Sequence, residues 1–301
     1  MKKTIITALL LSMVTVNLSA QLLYKISGKG LAAPSYIVGT YHLAPSTFAD
    51  SIPGMRQAMA DCQQTYGELI TSQMMSADSA AILQQAMMLP DNMTIDKVLS
   101  AEEMTRLNGY MRTVIGVDFT NPILKQQMGK MSPQGLNTTL IMLNFMKKEG
   151  NIDPNNLLDD YFQKEALAQG KGVGGLETIE FQSRVLFKGI TLERQKEGLM
   201  CLIDNADFND EMGEKVRRAF YAKDLVALKE AMDAKLHNSC DNTPEEEAQL
   251  IDNRNADWVT KMPALMSQKP TLFAVGAGHL PGPKGVLTLL RNAGYQVEPV
   301  K

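Results

Sequence analysis

Two histidines stand in matching positions near opposite ends of this 301-residue chain. His42 and His279 each come three residues after a glycine that follows a short apolar run, in stretches 34–43 and 270–280. The third and last histidine, His237, lies in a polar stretch without this pattern. Ligands of α/β proteins bind beyond the carboxyl ends of the strands, so imidazoles that follow neighbouring parallel strands would face one crevice. Two histidines and a carboxylate are a common ligand set for a catalytic divalent metal.

Two glutamates are the candidate carboxylates of such a site. Glu68 lies in an apolar stretch that predicts a strand over 65–70, and Glu177 follows the glycine-rich stretch 172–175. We predict that Glu68 joins the two histidines as a metal ligand, while the glutamates share the role of general base or orient a histidine. A divalent metal would lower the pKa of bound water towards about 7 and polarise an amide or ester carbonyl.

Arg254 and Asn255, in the stretch 254–258, complete the predicted catalytic set. Arg254 could stabilise a developing oxyanion, with Asn255 as a supporting donor. The alternative is structural, because Glu68 and Glu177 could equally form a buried ion pair with Arg254 that has no catalytic role.

The elements that must position these residues indicate an α/β fold. We predict a mixed, largely parallel central sheet flanked by helices, because short apolar strands alternate with helical segments. The predicted strands cover 23–27, 36–38, 65–70, 172–177, 271–275 and 295–297. Residues 71–150 are rich in methionine and read as a helical insertion whose methionines are core filler. Within it, Ser100 followed by Glu103 has the form of a capping box at a helix start.

The N-terminal residues 1–20 have the features of a signal peptide. Lys2 and Lys3 precede an apolar run over 5–16, and small residues stand before Gln21. We therefore expect an exported protein, periplasmic or secreted, with residues 21–301 as a single α/β domain and no membrane span after signal removal; the alternative is an uncleaved anchor. The formal net charge of -3 and pI near 5.7 give no basic field for nucleic acid.

The three cysteines predict one disulfide and one buried free thiol in an oxidising compartment. Cys201 and Cys240 flank one helical segment and are the expected pair, which leaves Cys62 free.

Several of these stretches, taken in order, resemble the TraB/PrgY/GumN family. The matching stretches are 36–42, the strand with Glu68, 175–182, 254–258 and 273–282 continuing to 297. That family is related to the TIKI metalloproteases and, more distantly, to erythromycin-esterase-like and ChaN-like proteins. The resemblance implies an α/β core with a helical subdomain, and manganese or cobalt for TIKI-like members. It implies a site built from His42, Glu68, Glu177, Arg254, Asn255 and His279. Ile70 departs from the pattern, since many relatives carry an acid there.

Together these features predict an exported metal-dependent hydrolase, a peptidase, that uses Mn, Co or Zn. One alternative is a non-catalytic envelope or exopolysaccharide-associated protein that binds a peptide or glycan. A second is a metal-independent esterase in which a histidine is the general base.

Overall fold

The computed structural model describes residues 21–74, 76–90, 92–150 and 152–301. The predicted signal peptide, residues 1–20, lies outside the described residues. None of the helices within the described ranges combines the length and the apolar character that a membrane span requires.

Six strands form one sheet in the described part of the chain. They are β1 (Leu23–Ser27), β2 (Ser35–Thr40), β3 (Gln64–Gly67), β4 (Gly172–Gly175), β5 (Thr271–Gly276) and β6 (Gln296–Pro299). The strand order is β4-β3-β5-β2-β1-β6, with β4, β3, β5 and β2 mutually parallel and β1 antiparallel to both β2 and β6. The predicted α/β class, with a mixed and largely parallel sheet, is confirmed.

The predicted strands over 23–27 and 36–38 pair as an N-terminal hairpin. Gly28, Lys29 and Gly30 all have positive φ, of 83°, 48° and 78°, a conformation that glycine adopts without steric cost. The turn pairs Leu23 with Val38 and Ile26 with Ser35. The hairpin thereby places β2 inside the sheet, where every one of its residues is buried.

Helices surround the sheet. The helices of the first half are α1 (Met55–Asp61), α2 (Thr71–Met74), α3 (Ala77–Met87), α4 (Ile95–Val98), α5 (Ala101–Ile115), α6 (Pro122–Met128) and α7 (Pro133–Glu149). The helices of the second half are α8 (Leu158–Ala168), α9 (Ile179–Lys188), α10 (Leu192–Asp204), α11 (Ala206–Tyr221), α12 (Leu225–Met232), α13 (Pro244–Glu247), α14 (Asn253–Gln268) and α15 (Val286–Asn292). The capping box of Ser100 and Glu103 is present at the start of α5.

Two hydrophobic cores join the helices to the sheet and to one another. The larger core surrounds the sheet and includes Phe273 and Trp258. The smaller one joins helices α4–α7 to α10 and contains Met111, Met131 and Met200. These methionines fill a core as predicted, and the packing of α10 against this region extends it beyond residue 150. That residues 71–150 are an insertion in a single domain stays a prediction.

The expected disulfide is confirmed between Cys201 and Cys240, and Cys62 is a buried free thiol. The bond fastens the loop 233–242 to helix α10 across 39 residues of sequence.

Candidate functional site

The strand register places the predicted site residues at one edge of the sheet. In the parallel pairs, Thr40 lies beside Gly276 and Gly67 lies beside both Ala274 and Gly175. His42 and His279 therefore follow neighbouring strands at almost the same level, as do the two glutamates. This is the carboxyl edge of the parallel strands, where ligands of α/β proteins bind.

Strand β3 ends earlier than predicted, and Glu68 follows it rather than lying within it. Beyond Gly67 the chain is held by Gln163 of α8, whose amide donates to the Leu69 carbonyl at 2.7 Å and accepts from the Thr71 N–H at 3.2 Å. A Cβ on Gly67 would lie 2.4 Å from the Gln163 amide nitrogen, so glycine is required for this approach. The predicted strand over 65–70 is present but ends at Gly67. The Glu68 carbonyl still accepts from the Glu177 N–H at 2.9 Å, and beyond it this buried glutamine replaces a neighbouring strand as the backbone partner.

His279 is buried and held in one tautomer by Asn255. The Asn255 amide nitrogen donates to the carbonyls of His279 and Lys284 at 3.3 and 2.9 Å, so its oxygen faces the imidazole. His279 Nδ1 lies 2.7 Å from that oxygen and therefore donates to it, which leaves Nε2 as the atom with a lone pair. Burial lowers the pKa of His279 to about 4, assisted by the charges of Arg254 and His42 and opposed by Glu68. The ring is neutral at physiological pH.

His42 has a different environment, because its partner is a carboxylate. Its Nδ1 donates to Asp159 of α8 at 2.5 Å, and its side chain is 67% exposed. The charge of Asp159, together with this hydrogen bond, raises the pKa of His42 to about 9. Burial acts to raise the pKa of Asp159, but His42 and the neighbouring Thr40 hydroxyl hold it below its usual range.

Asp159 is a site residue that sequence reasoning missed. It lies in the first turn of α8, where an acidic residue is common because it favours the positive end of the helix dipole. The sequence around Asp159 therefore does not distinguish it from other acidic residues at helix starts. Backbone hydrogen bonds from Leu158 to Ala44 and from Ser46 to Asn156 bring this turn beside His42.

Arg254 is the buried centre of the polar cluster. Its Nη2 donates to Glu68 at 2.6 Å and also to Glu177, and its Nε donates to Glu177 at 3.1 Å. Its Nη1 donates to the Leu250 carbonyl and to His279 Nε2, both at 3.1 Å. All five N–H groups are thus directed at protein atoms. The donors of Arg254 and Asn255 are used within the protein, and the geometry gives no support to the predicted oxyanion role. The ion-pair alternative describes the observed contacts.

The two glutamates differ in access. The Glu177 side chain is only 1% exposed, and Trp258 donates to it at 3.4 Å, whereas the Glu68 side chain is 15% exposed. Gln182 of α9, a second residue that the sequence did not single out, donates to Glu68 at 3.2 Å and to Glu177 at 2.8 Å. Glu68 also accepts from the Gly276 N–H at 2.9 Å. Glu68 is therefore the more accessible of the two carboxylates.

The charge state of Glu68 follows from these neighbours. Burial acts to raise its pKa, but His279, Arg254, His42 and the Gly276 N–H hold the pKa below its usual range. Glu68 is ionised at neutral pH and can accept a proton.

A π-helical turn over Ala248–Asp252 precedes Arg254. Single π-helical turns inside helices are frequent at functional sites. Here the turn presents the Leu250 carbonyl to Arg254.

The donor atoms fit a divalent metal in type, with one conflict. Each histidine bonds its Nδ1 to a protein acceptor, the outer-shell arrangement usual for metal-binding imidazoles. This leaves Nε2 of His42 and His279 and the Glu68 carboxylate as ligands, and His42 would have to lose its Nε2 proton on binding. In this structure, however, Arg254 contacts both His279 Nε2 and Glu68. Among the described residues, no three His, Cys, Asp or Glu side chains are arranged closely enough to hold a metal ion.

The two site histidines are expected to titrate far apart in metal-free protein. We expect His279 to titrate near pH 4 and His42 near pH 9, because burial penalises the first cation and Asp159 stabilises the second. Asp159→Asn should return the pKa of His42 towards the ordinary value of about 6.5. Histidine ring NMR measures this directly, since the chain gives only three signals, which His→Gln variants assign. A His42 pKa near 6.5 in the unsubstituted protein would contradict the assigned role of Asp159.

The shifted pKa values of His279 and His42 make the free energy of unfolding depend on pH in opposite directions. The folded-state pKa of His279 is depressed, so its contribution is present above about pH 6.5 and is lost as the pH falls towards 4. The folded-state pKa of His42 is raised, so its contribution is present below about pH 6.5 and is lost as the pH rises through 9.

The fold and this cluster define an α/β protein with a histidine–glutamate–arginine site at the carboxyl edge of its sheet. The model of the TraB/PrgY/gumN family matches residues 22–299, and the chain belongs to this family. No solved structure matches it significantly.

The curated relatives include animal TIKI metalloproteases. The chain is 21% identical to a metalloprotease TIKI homolog of Nematostella vectensis, over 89% of this chain and 65% of the relative. It is 22% identical to a TIKI homolog of Amphimedon queenslandica, over 88% of this chain and 59% of the relative. It is 24% identical to metalloprotease TIKI1 of Danio rerio, over 88% of this chain and 60% of the relative. The chain thus spans 59–65% of the length of these relatives.

Proposed function

We propose that this protein is an exported, metal-dependent hydrolase that cleaves peptides. The observation that carries the proposal is the matched pair of histidines. Both follow neighbouring parallel strands, both bond Nδ1 to a protein acceptor, and the charge of His42 acts on both Glu68 and His279. The name metalloprotease, carried by the TIKI relatives, supports this choice of reaction.

The roles of the residues follow from their contacts. His42, His279 and Glu68 would hold the metal, which when bound would supply a Lewis acid and lower the pKa of water. Asp159 and Asn255 hold the two imidazoles in orientation. Glu68 is ionised and partly accessible, so it is the carboxylate that can take a proton from the attacking water.

Glu177 is a positioning residue in this proposal. It is buried against Arg254, Gln182 and Trp258, and it fixes the guanidinium that contacts Glu68. Because Glu177 is enclosed, it holds Arg254 in place, and Arg254 in turn holds the Glu68 carboxylate.

The contacts of the two histidines argue against either as the general base. A general base needs a lone pair that is free to take the proton. The Nε2 lone pair of His279 already accepts from Arg254 at 3.1 Å, and His42, with a pKa of about 9, already carries a proton at neutral pH. The metal-independent esterase therefore has less support than the metal-dependent hydrolase.

Export is supported by two features. Residues 1–20 have the pattern of a signal peptide, and the Cys201–Cys240 disulfide is typical of oxidising compartments. The N-terminal sequence of the mature protein tests this part of the proposal.

Metal binding is the experiment that tests the proposed function. We expect metal-stripped protein to bind one Mn²⁺, Co²⁺ or Zn²⁺ ion, measured by calorimetry and elemental analysis. Loss of an outer-shell partner weakens metal binding about 10–100-fold, so His279→Ala should cost more than about 100-fold. The matched control is His237→Asn, since His237 is exposed with φ of 60°, a conformation that asparagine tolerates. Equal metal affinity in wild type and His279→Ala would overturn the proposal.

A further inference from the structure

A cavity of about 710 Å³ lies beside the polar cluster, between helices α9 and α10 on one side and α12, the π-helical turn and residues 278–285 on the other. Small-molecule sites in proteins have volumes of about 300–1,000 Å³. The cavity is therefore large enough for a ligand of several residues.

The cavity is distinct from the polar cluster but shares two segments with it. Of the described residues that line it, none is a histidine, glutamate or arginine of the cluster. Gly278 lines the cavity beside His279, and Leu250 lines it while accepting a hydrogen bond from Arg254. A ligand in the cavity would therefore contact the backbone segments that position His279 and Arg254.

The basic groups on the cavity wall are neutralised within the protein. The basic residues of the wall form ion pairs with acidic residues of the same wall. Examples are Arg194 with Glu246, Lys229 with Asp233, and Lys284 with Asp252. Lys235 likewise pairs with Glu247, and Asp241 accepts from two backbone N–H groups. Among the described residues of the wall, no unpaired cation is left for a phosphate or carboxylate group of a ligand.

The rest of the wall combines apolar side chains with amides. Val185, Leu186 and Ile251 supply apolar surface, and Asn137 and Asn242 supply amides. Among the described side chains, the buried Asn137 Oδ1 has no hydrogen-bond partner. A buried acceptor of this kind gains from a ligand N–H. A wall that offers both apolar groups and amides matches the chemistry of a peptide, which carries side chains between backbone amides.

The walls are also fixed in advance. Cys201 and Cys240 both line the cavity, and their disulfide holds the loop 233–242 in place. Arg194 adds hydrogen bonds to the carbonyls of Ser239 and Asp241 at 2.7 and 2.9 Å. A preformed site costs less ordering entropy on binding.

We propose that this cavity is a second, non-catalytic binding site that takes a short uncharged peptide segment. The proposal concerns binding alone and does not depend on the hydrolase activity.

The first test uses an acetylated and amidated leucine–alanine–leucine tripeptide as the probe on full-length mature protein without metal. Met232 lines the cavity and contacts the Gly278 segment, so its methyl NMR signal, assigned with Met232→Leu, should shift on titration. Met111, in the smaller core, serves as the internal control and should not shift. Absence of a saturable shift at Met232 would overturn the proposal.

The second test fills the cavity. A Cβ on Gly198 would meet only the Asn137 amide nitrogen, at 3.7 Å, so Gly198→Leu should place its side chain in the cavity without a backbone clash. We expect the probe to bind this variant at least about 10-fold more weakly, because the added volume displaces it. The matched control is Gly109→Leu in α5, where a Cβ meets nothing within 4 Å and affinity should be unchanged. Equal affinity in both variants would place the probe elsewhere and overturn the assignment.

Three further probes test the chemical class. Lysine–alanine–lysine and glutamate–alanine–glutamate tripeptides with the same blocked ends should bind at least about 10-fold more weakly, since desolvating an unpaired charge is costly. Maltotriose and monomeric dodecyl maltoside should not shift Met232. If either displaces the uncharged peptide, the cavity is a glycan or lipid site and the peptide proposal is wrong.

Discussion

Replacing Arg254 by methionine is expected to lower the free energy of unfolding by about 3–5 kcal/mol, because it leaves two buried carboxylates without their cation. Arg254 is 5% exposed and contacts both Glu68 and Glu177. Chemical denaturation monitored through Trp258, the only tryptophan and a neighbour of the Arg254 guanidinium at 5.0 Å, measures the change.

The control variant shows whether the loss of stability comes from removing a buried arginine or from removing any paired arginine. Arg56→Met removes an arginine whose side chain is 82% exposed and paired with Asp50, and such surface pairs contribute about 0–1 kcal/mol. Arg254→Lys should fall between wild type and Arg254→Met, since lysine keeps the charge but has three donors instead of five. Equal losses for Arg254→Met and Arg56→Met would show that the cluster is not stabilising.

Glu68→Gln is expected to abolish most hydrolysis while the fold is retained. Loss of a positioned general acid–base group costs about 10²–10⁴-fold in rate. The fold should remain because Arg254 keeps Glu177 as its counter-charge and the glutamine oxygen can still accept from Gly276. Cleavage of a quenched fluorescent peptide library with Mn²⁺, Co²⁺ or Zn²⁺ is the assay, and thermal unfolding checks the fold.

Glu180→Gln is the matched control, since Glu180 lies on the same α9 helix as Gln182 but is exposed. We expect its activity to equal that of the wild type. Full activity in Glu68→Gln would show that Glu68 takes no part in the reaction. It would also contradict the proposed roles of Glu68 as the reacting carboxylate and Glu177 as the positioning one.

The sequence predicted those features that depend on local pattern or strand order. The hairpin follows from its glycines, the helix starts follow from capping residues such as Ser100, and the level of His42 and His279 follows from two parallel strands of similar length. The expected disulfide followed from the positions of Cys201 and Cys240 on either side of one helical segment, which left Cys62 as the free thiol.

The sequence did not predict features that depend on partners distant along the chain. Asp159 looks like any acid at a helix start, and only the approach of α8 to the 41–46 segment makes it the partner of His42. Gln182 and Gln163 are polar residues on helices whose amides bridge strand ends, and no periodicity reveals that. The π-helical turn before Arg254 is a tertiary adjustment that delivers one carbonyl to one guanidinium.

The position of β5 determines when this protein can become folded. β5 lies between β2 and β3, so these strands cannot pair with each other, and each keeps an open edge until residues 271–276 arrive. Unpaired strand edges promote association with other chains, and sheets that join distant segments form slowly. A newly synthesised chain therefore exposes both edges until nearly its whole length is available. During that interval the open edges can pair with strands of other chains.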